Sequence, residues 1–400
     1  MGGLLSGVRV LDLTNVLAGP FCGYQLALQD ADVIKVEIPD GGDLARQLGA
    51  SPELNDRLMG ASFLAQNAGK RSITANLKSE RGREVFRRLV ATSDVLLENF
   101  RPGVLARLGL GYEDLKAVKP DLIYCAISGF GQDGPLSRNP AYDQIIQGLS
   151  GVMSLTGDAN VGPFRVGYPI CDTVGGITAA FAICAALYRR GIGGEGQFID
   201  VSMLDSTLVT LGWPLSNWLL AGVEPQRMGN ENVTASPSGT FRTGRGLLNI
   251  AANKQEQFVA LCQVLGVAHL TVDPRFAQRE NRKKNRPALT ALLEQALLER
   301  TAEDWETLLN EAGVPAGRVL DVPDVLRHPQ VVHRGVTQTF EGVDGLPGAV
   351  TVMRSGFQAS GHPGEADRPP PALGQHAEEL LGELGFTGAE IAALRQEGAI

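Results

Sequence analysis

Asp172 is the most chemically loaded position in the sequence. It lies in Y-P-I-C-D-T-V-G-G-I (168–177), immediately ahead of a helical run of small residues. One reading makes it an N-cap whose carboxylate accepts the free amides of the helix start. The other uses the same physics for catalysis. A helix N-terminus favours the ionised carboxylate, and the flanking glycines leave room for a thioester and bare amides for a developing oxyanion. Segments 16–20, 99–103, 128–135 and 167–176 all fall where strands run into loops, so they are expected to meet in one crevice at the edge of an open sheet. Taken singly, each is only a turn rich in glycine and proline.

Other chemistries lack their residues. Glu37 ends a strand where an acid could hold a ribose, but the preceding loop, T-N-V-L-A-G-P (14–20), lacks the spaced glycines a pyrophosphate requires. The histidines at 269, 328, 333, 362 and 376 have neither i, i+4 pairing nor cysteine neighbours, so no metal site is expected. The cysteines at 22, 125, 171, 184 and 262 form no C-x-x-C pair and read as reduced, buried thiols. The basic run 281–286 reads as a hydrated loop and is left out of the site.

The elements that must position Asp172 follow from the hydrophobic pattern. The chain has 400 residues, 44% apolar and 20% charged, with a net charge of −8. This is a globular balance that gives nucleic acid no basic face. The longest wholly apolar run, 179–187, is shorter than the roughly 20 residues that cross a bilayer. A cytoplasmic protein with no membrane partner is expected; the loose myristoylation pattern M-G-G-L-L-S (1–6) runs straight into a strand. Strand patterns at 8–13, 33–36, 95–97, 122–127 and 198–201 alternate with helical ones from 21, at 79–91 and at 173–188. They predict an α/β fold with a doubly wound, mostly parallel sheet. The turn ahead of the second strand needs a left-handed residue, and Asp30 is available. A hairpin pattern at 240–250 and helical segments near 254–265 and 287–312 predict a smaller α+β domain, with Thr301 and Asp304 as a capping box. Strands at 336–340 and 349–353 and two terminal helices, the second started by Thr387 and Glu390, return to the large domain. The boundaries read 1–224, 225–328 and 329–400.

Several blocks in order resemble the class III CoA-transferases, the CaiB-BaiF family: V-L-D-L-T-N-V-L-A-G-P (10–20), A-D-V-I-K-V-E (31–37), G-K-R-S-I (69–73), E-N-F-R-P-G (98–103), S-G-F-G-Q-D-G-P (128–135), A-Y-D (141–143) and Asp172. The resemblance implies a large domain built from both chain ends, a smaller middle domain and an interlocked homodimer. It implies coenzyme A as acyl-CoA co-substrate, a carboxylic acid as partner, and no tightly bound cofactor. Asp172 matches the nucleophile. Leu17 and Ala18 match positions at the pantetheine end, and Lys70, Arg71, Asn99, Phe100, Arg101 and Arg107 match CoA-handling positions. For these the plainer readings are a solvated pair at 70–71, an exposed helix face at 101 and 107, and a packed Phe100.

Tyr142 stands where related racemases place a histidine base. A phenol of ordinary pKa near 10 is a poor proton acceptor but can donate to a carboxylate. Tyr142 with Asp143 therefore favours transfer over epimerisation, and a packed tyrosine is the plainer reading. Leu17 replaces the glutamine of formyl-CoA transferases and their tandem-glycine loop is missing, so a larger acid than oxalate or formate is expected. The usual histidine and aromatic are absent near Asn232 and Ser238. R-P-P-P-A-L-G-Q-H (368–376) looks most like transferases acting on succinate or glutarate, and Arg165 is a candidate partner for a second carboxylate unless it is an ordinary surface arginine. The alternatives are an acyl-CoA isomerase and a non-catalytic acyl-CoA-binding relative.

Overall fold

The computed structural model describes residues 2–400. Its centre is a six-stranded sheet of β1 (Arg9–Asp12), β2 (Asp32–Glu37), β3 (Lys70–Thr74), β4 (Val95–Glu98), β5 (Ile123–Ser128) and β6 (Phe198–Ser202). Their order is β3-β2-β1-β4-β5-β6, and every pairing is parallel. The strands are rich in Val, Ile and Leu because both faces are covered. Leu11, Ile34, Leu96 and Tyr124 face Phe86 and Leu89 of α2 (Glu80–Ala91) and residues of the C-terminal helices Ala377–Glu383 and Gly388–Gln396. Val10, Val33, Leu97 and Cys125 face α1 (Ala18–Ala27) and α4 (Ile170–Gly191). Asp30 takes the left-handed conformation the turn requires, at φ 70°.

From β1 the chain winds outward on one side to β2 and β3 and on the other to β4, β5 and β6. The loops after β1 and β4 therefore part company at the strands' C-terminal ends, the place where an open α/β sheet leaves a crevice. Asn15 and Asn99 bridge it: the Asn15 N–H donates to Asn99 Oδ1 at 2.8 Å, and Asn99 Nδ2 donates to the Asn15 carbonyl at 2.8 Å.

The structure departs from the pattern-based reading in several places, and residues 281–286, expected as a hydrated loop, span two helices, with Arg282 and Arg286 buried. Residues 70–74 form a strand despite their charges, because ion pairs accompany Lys70 and Arg71 into the sheet. The helix expected at 173–188 starts at Ile170 and ends at Gly191. The helical stretch at 287–312 is two helices, Arg286–Leu297 and Ala302–Glu311, the second opened by the Thr301–Asp304 capping box.

The described residues divide into two compact units, residues 2–152, 165–222 and 334–400 in one and 153–164 with 223–333 in the other. The smaller unit holds the antiparallel sheet of β7 (Ser238–Arg242), β8 (Leu247–Ala251) and β9 (Ala316–Arg318) over a core including Phe241, Phe258 and Trp305. Residues 153–164, read from sequence as part of the large domain, fold with it: the Gly229 N–H donates to the Gly157 carbonyl at 2.8 Å, and Arg227 Nε to that of Asp158 at 3.1 Å. In the large unit the C-terminal return begins with the hairpin β10 (Thr337–Phe340) and β11 (Val350–Met353). By length and composition, 22-residue α4 is apolar enough to cross a bilayer. One face packs through Cys171, Gly175, Gly176, Ala179 and Ile183, while Ile177, Phe181 and Tyr188 are exposed.

Candidate active site

Asp172 is the third residue of α4 rather than its cap. Pro169 precedes the helix and has no side chain to cap it, so a carboxylate from elsewhere takes that task. Asp143 opens helix α3 (Asp143–Leu149), and its Oδ1 accepts from the N–H of Cys171 at 2.8 Å and of Asp172 at 3.4 Å. Gln147 Nε2 holds the other oxygen of Asp143 at 2.6 Å. The Asp172 carboxylate is thereby left without a hydrogen-bond donor among the described residues. Burial, and then the charge of Asp143, push its pKa up from 3.8 to about 7. The helix end that favours ionisation is outweighed. An under-solvated carboxylate that is not tied down by donors is what a nucleophile toward carbonyl carbon requires.

Gly176 lies four residues after Asp172, hence on the same side of α4. A Cβ there would sit 2.5 Å from the Ala18 carbonyl oxygen, so only glycine lets α1 begin this close to α4. The start of α1 is thus beside Asp172. Two cavities have Asp172, Val16 and Leu17 in their walls. The smaller, about 220 Å³, also touches Ala18, Asn99, Phe100, Arg101, Ser128, Gly129, Tyr142 and Met203. The larger, about 870 Å³, extends past Phe21, Tyr24, Gln66 and Thr173 to Arg354.

The four loop segments therefore meet at one crevice, and Leu17, Ala18, Asn99, Phe100, Arg101, Tyr142 and Asp172 line the smaller cavity. Tyr142 is 65% exposed, and its hydroxyl bonds to no described residue. Arg107 is exposed outside the wall and folds back toward Gly103, while Arg101 is also exposed; neither makes an ion pair among the described residues.

Four expectations are corrected. Lys70 is 0% exposed: its ammonium is held by Asp12 at 2.8 Å and the Pro20 carbonyl at 2.9 Å, so in place of handling CoA it anchors α1 to the sheet. Arg71 is buried beside Asp32, Glu379 and Glu383 and ties β3 to the C-terminal helix. Asp143 is buried as the cap of α4 and lines neither cavity. Arg165 is exposed, donates only to the Val166 carbonyl at 3.3 Å, and lies outside both walls. Glu37 is equally spoken for, gripped through both oxygens by Arg46 at 2.6 and 2.8 Å.

Sequence reasoning missed Gln66 and Arg354, which reach the larger cavity from segments without any catalytic motif, and Ser137, Asn139 and Pro140, just past the loop it singled out. It also missed Asp43, whose buried carboxylate meets the loop after β1.

Known proteins resemble this chain over nearly its whole length. A profile of CoA-transferase family III matches residues 5–377. The succinate–glutarate CoA-transferase of Agrobacterium fabrum is 39% identical over 95% of both chains. The acetyl-CoA:oxalate CoA-transferase of Acetobacter aceti is 40% identical over 97% of both. The crystal structure of a CaiB/BaiF family protein from Brucella suis superposes with a TM-score of 0.84 at 38% identity, covering 96% of this chain and 100% of that one. With a parallel α/β sheet, a poised carboxylate at its switch point and near full-length likeness to such enzymes, the chain belongs to CoA-transferase family III and is a class III CoA-transferase.

Proposed function

We propose that the chain moves CoA from a donor such as succinyl-CoA to a second, dicarboxylic acid through covalent intermediates on Asp172. The observation that carries this is the Asp172 carboxylate, free of donors and set where two cavities meet. An Asp172 oxygen attacks the thioester carbonyl carbon, the C–O bond forms, the C–S bond breaks, and CoA thiolate leaves a mixed anhydride. The thiolate attacks Cγ of Asp172, expelling the donor carboxylate and leaving an aspartyl-CoA thioester. The acceptor carboxylate attacks Cγ, expels the thiolate and forms a new anhydride. Thiolate attack on the acyl carbon of that anhydride releases the new acyl-CoA and restores Asp172. Atoms balance without water, and the thioester's free energy is kept.

The smaller cavity suits the thiol end of CoA, since Asn99, Phe100 and unpaired Arg101 stand in its wall. The larger cavity suits the exchanging acids, and Arg354, whose guanidinium is ion-paired with Glu365, stands in its wall as the cation nearest a second carboxylate, which would share it with Glu365. A homodimer belongs to the same reading, supported by exposed Phe181, Tyr188, Trp213, Leu219 and Leu220. The five unpaired cysteines support a reducing, cytoplasmic setting. Neither cavity wall contains a histidine, which leaves the isomerase alternative without its usual base.

The test is a succinyl-CoA exchange screen across acceptor acids, with hydroxylamine trapping and mass spectrometry of the peptide around Asp172. An adduct on Asp172 and its loss in Asp172→Asn are expected. Normal turnover by Asp172→Asn and Asp172→Ala would overturn the mechanism.

A further inference from the structure

The loop after β1 is held residue by residue from other elements. Thr14 donates its N–H to Asp12 Oδ1 at 3.0 Å, and its carbonyl accepts from Lys35 Nζ at 2.7 Å. Both peptide groups of Asn15 go to Asn99. The Val16 N–H donates to Asp43 Oδ1 at 2.9 Å, and its carbonyl accepts from Gln66 Nε2 at 2.7 Å. Val16 itself stands at φ 69°, a left-handed conformation that a β-branched residue adopts only when its surroundings impose it. Asp43 can impose it because its position is over-determined. It is 1% exposed, its Oδ1 also accepts from the Ala45 N–H at 2.9 Å, and its Oδ2 pairs with buried Lys35 at 3.0 Å.

The pinning stops abruptly at Val16. The next three amides, of Leu17, Ala18 and Gly19, have no acceptor among the described residues. Leu17 and Ala18 share a cavity wall with Asp172. A loop whose first half is clamped and whose second half offers bare amides beside a nucleophile is preorganised for negative charge that develops there.

We propose that Asp43, Lys35 and Gln66 are positioning residues for the chemistry at Asp172: they hold Val16 left-handed and so aim the unpaired amides at the start of α1. The inference rests on the CoA-transfer reading of the site. Lys35 fixes Asp43, and Asp43 and Gln66 fix the two ends of Val16; Asp43 and Lys35 lie in neither cavity's wall, so their effect runs through the backbone of Val16, whereas Gln66 also stands in the wall of the larger cavity.

The test is a double-mutant cycle on the full chain. Asp43→Ala is made in the wild-type background and in Val16→Gly, where glycine takes a positive φ without a Cβ penalty. In the Val16 background, Asp43→Ala is expected to lower kcat for exchange of labelled succinate into succinyl-CoA about tenfold to a hundredfold, with KM little changed. Measured against Val16→Gly alone, the same substitution is expected to cost less than about threefold. Equal losses in both backgrounds would overturn the proposal. Asp43→Ala leaves Lys35 buried without its partner, so Gln66→Ala, which strands no charge, is carried through the same cycle with the same expectation for kcat, its KM being left out of the comparison because Gln66 also lines the larger cavity.

Amide hydrogen exchange of the 14–19 peptide supplies a readout independent of activity. Faster exchange in Asp43→Ala and Gln66→Ala supports the clamp, and unchanged exchange refutes it. Faster exchange in a protein that never exchanges succinate would sink the transfer reading and leave the clamp standing.

Discussion

Replacing Asp172 by asparagine separates what the carboxylate does for chemistry from what it costs the fold. The native value of about 7 lies well above the ordinary 3.8, because burial and Asp143 disfavour the charge. Between those two pH values the folded protein retains a proton that the unfolded chain has released, so wild-type stability falls as pH rises through the window and levels off above 7. The full gap corresponds to about 4 kcal/mol. Solvent reaching the half-buried oxygens reduces it to about 2–4 kcal/mol. An asparagine amide has no proton to lose in this range, so Asp172→Asn should melt higher than wild type by about 2–5 °C at pH 8 and by little near pH 4. Differential scanning calorimetry of both proteins from pH 4 to 8 measures the gap, and buried Glu98, also raised to about 7 by burial, cancels in the comparison. The same variant should have no CoA exchange at any pH, while wild-type kcat/KM rises through about pH 7 as the nucleophile ionises. A pH-independent difference in Tm, or a variant less stable than wild type at pH 8, would refute the argument that the site is held under electrostatic strain.

Gly176→Ala should lower exchange at least about tenfold and destabilise by about 1–3 kcal/mol, because its Cβ meets the Ala18 carbonyl; urea unfolding beside kinetics tests both. Lys70→Met should cost about 3–5 kcal/mol by stranding Asp12, whereas Arg101→Ala should leave Tm within about a degree and raise the KM for acyl-CoA in a salt-dependent way. Arg354→Met should raise the KM for dicarboxylic acceptors about tenfold while sparing monocarboxylic ones, as read by acceptor titration.

What was legible in the sequence is what local rules govern. Valine and isoleucine runs announced β1, β2, β4 and β5, because strands covered on both faces have no polar side to confuse the pattern. The Thr301 and Thr387 capping boxes were readable because donor and acceptor lie three residues apart. What escaped was non-local. Lys70 looked like a surface cation because its carboxylate partner is 58 residues away. Asp172 looked like a cap because the true cap, Asp143, sits 29 residues upstream of it. The backbone of Val16 was invisible because nothing about a valine suggests a positive φ; only the tertiary clamp requires it. The place of Asp172 at the crevice was readable, whereas the groups that orient its surroundings were not.

Asp172 stands in a wall common to two chambers of unequal size, and this arrangement bears on the order of events in a turnover. Under the proposed assignment of the two chambers, the thiol waits on its own side while one acid departs and the next arrives through the roomier side, so the carrier need not be released between half-reactions. Acid traffic, rather than docking of a fresh nucleotide tail, then sets the rhythm of the cycle, and an acid too bulky for the roomier chamber would stall the enzyme in its charged thioester form.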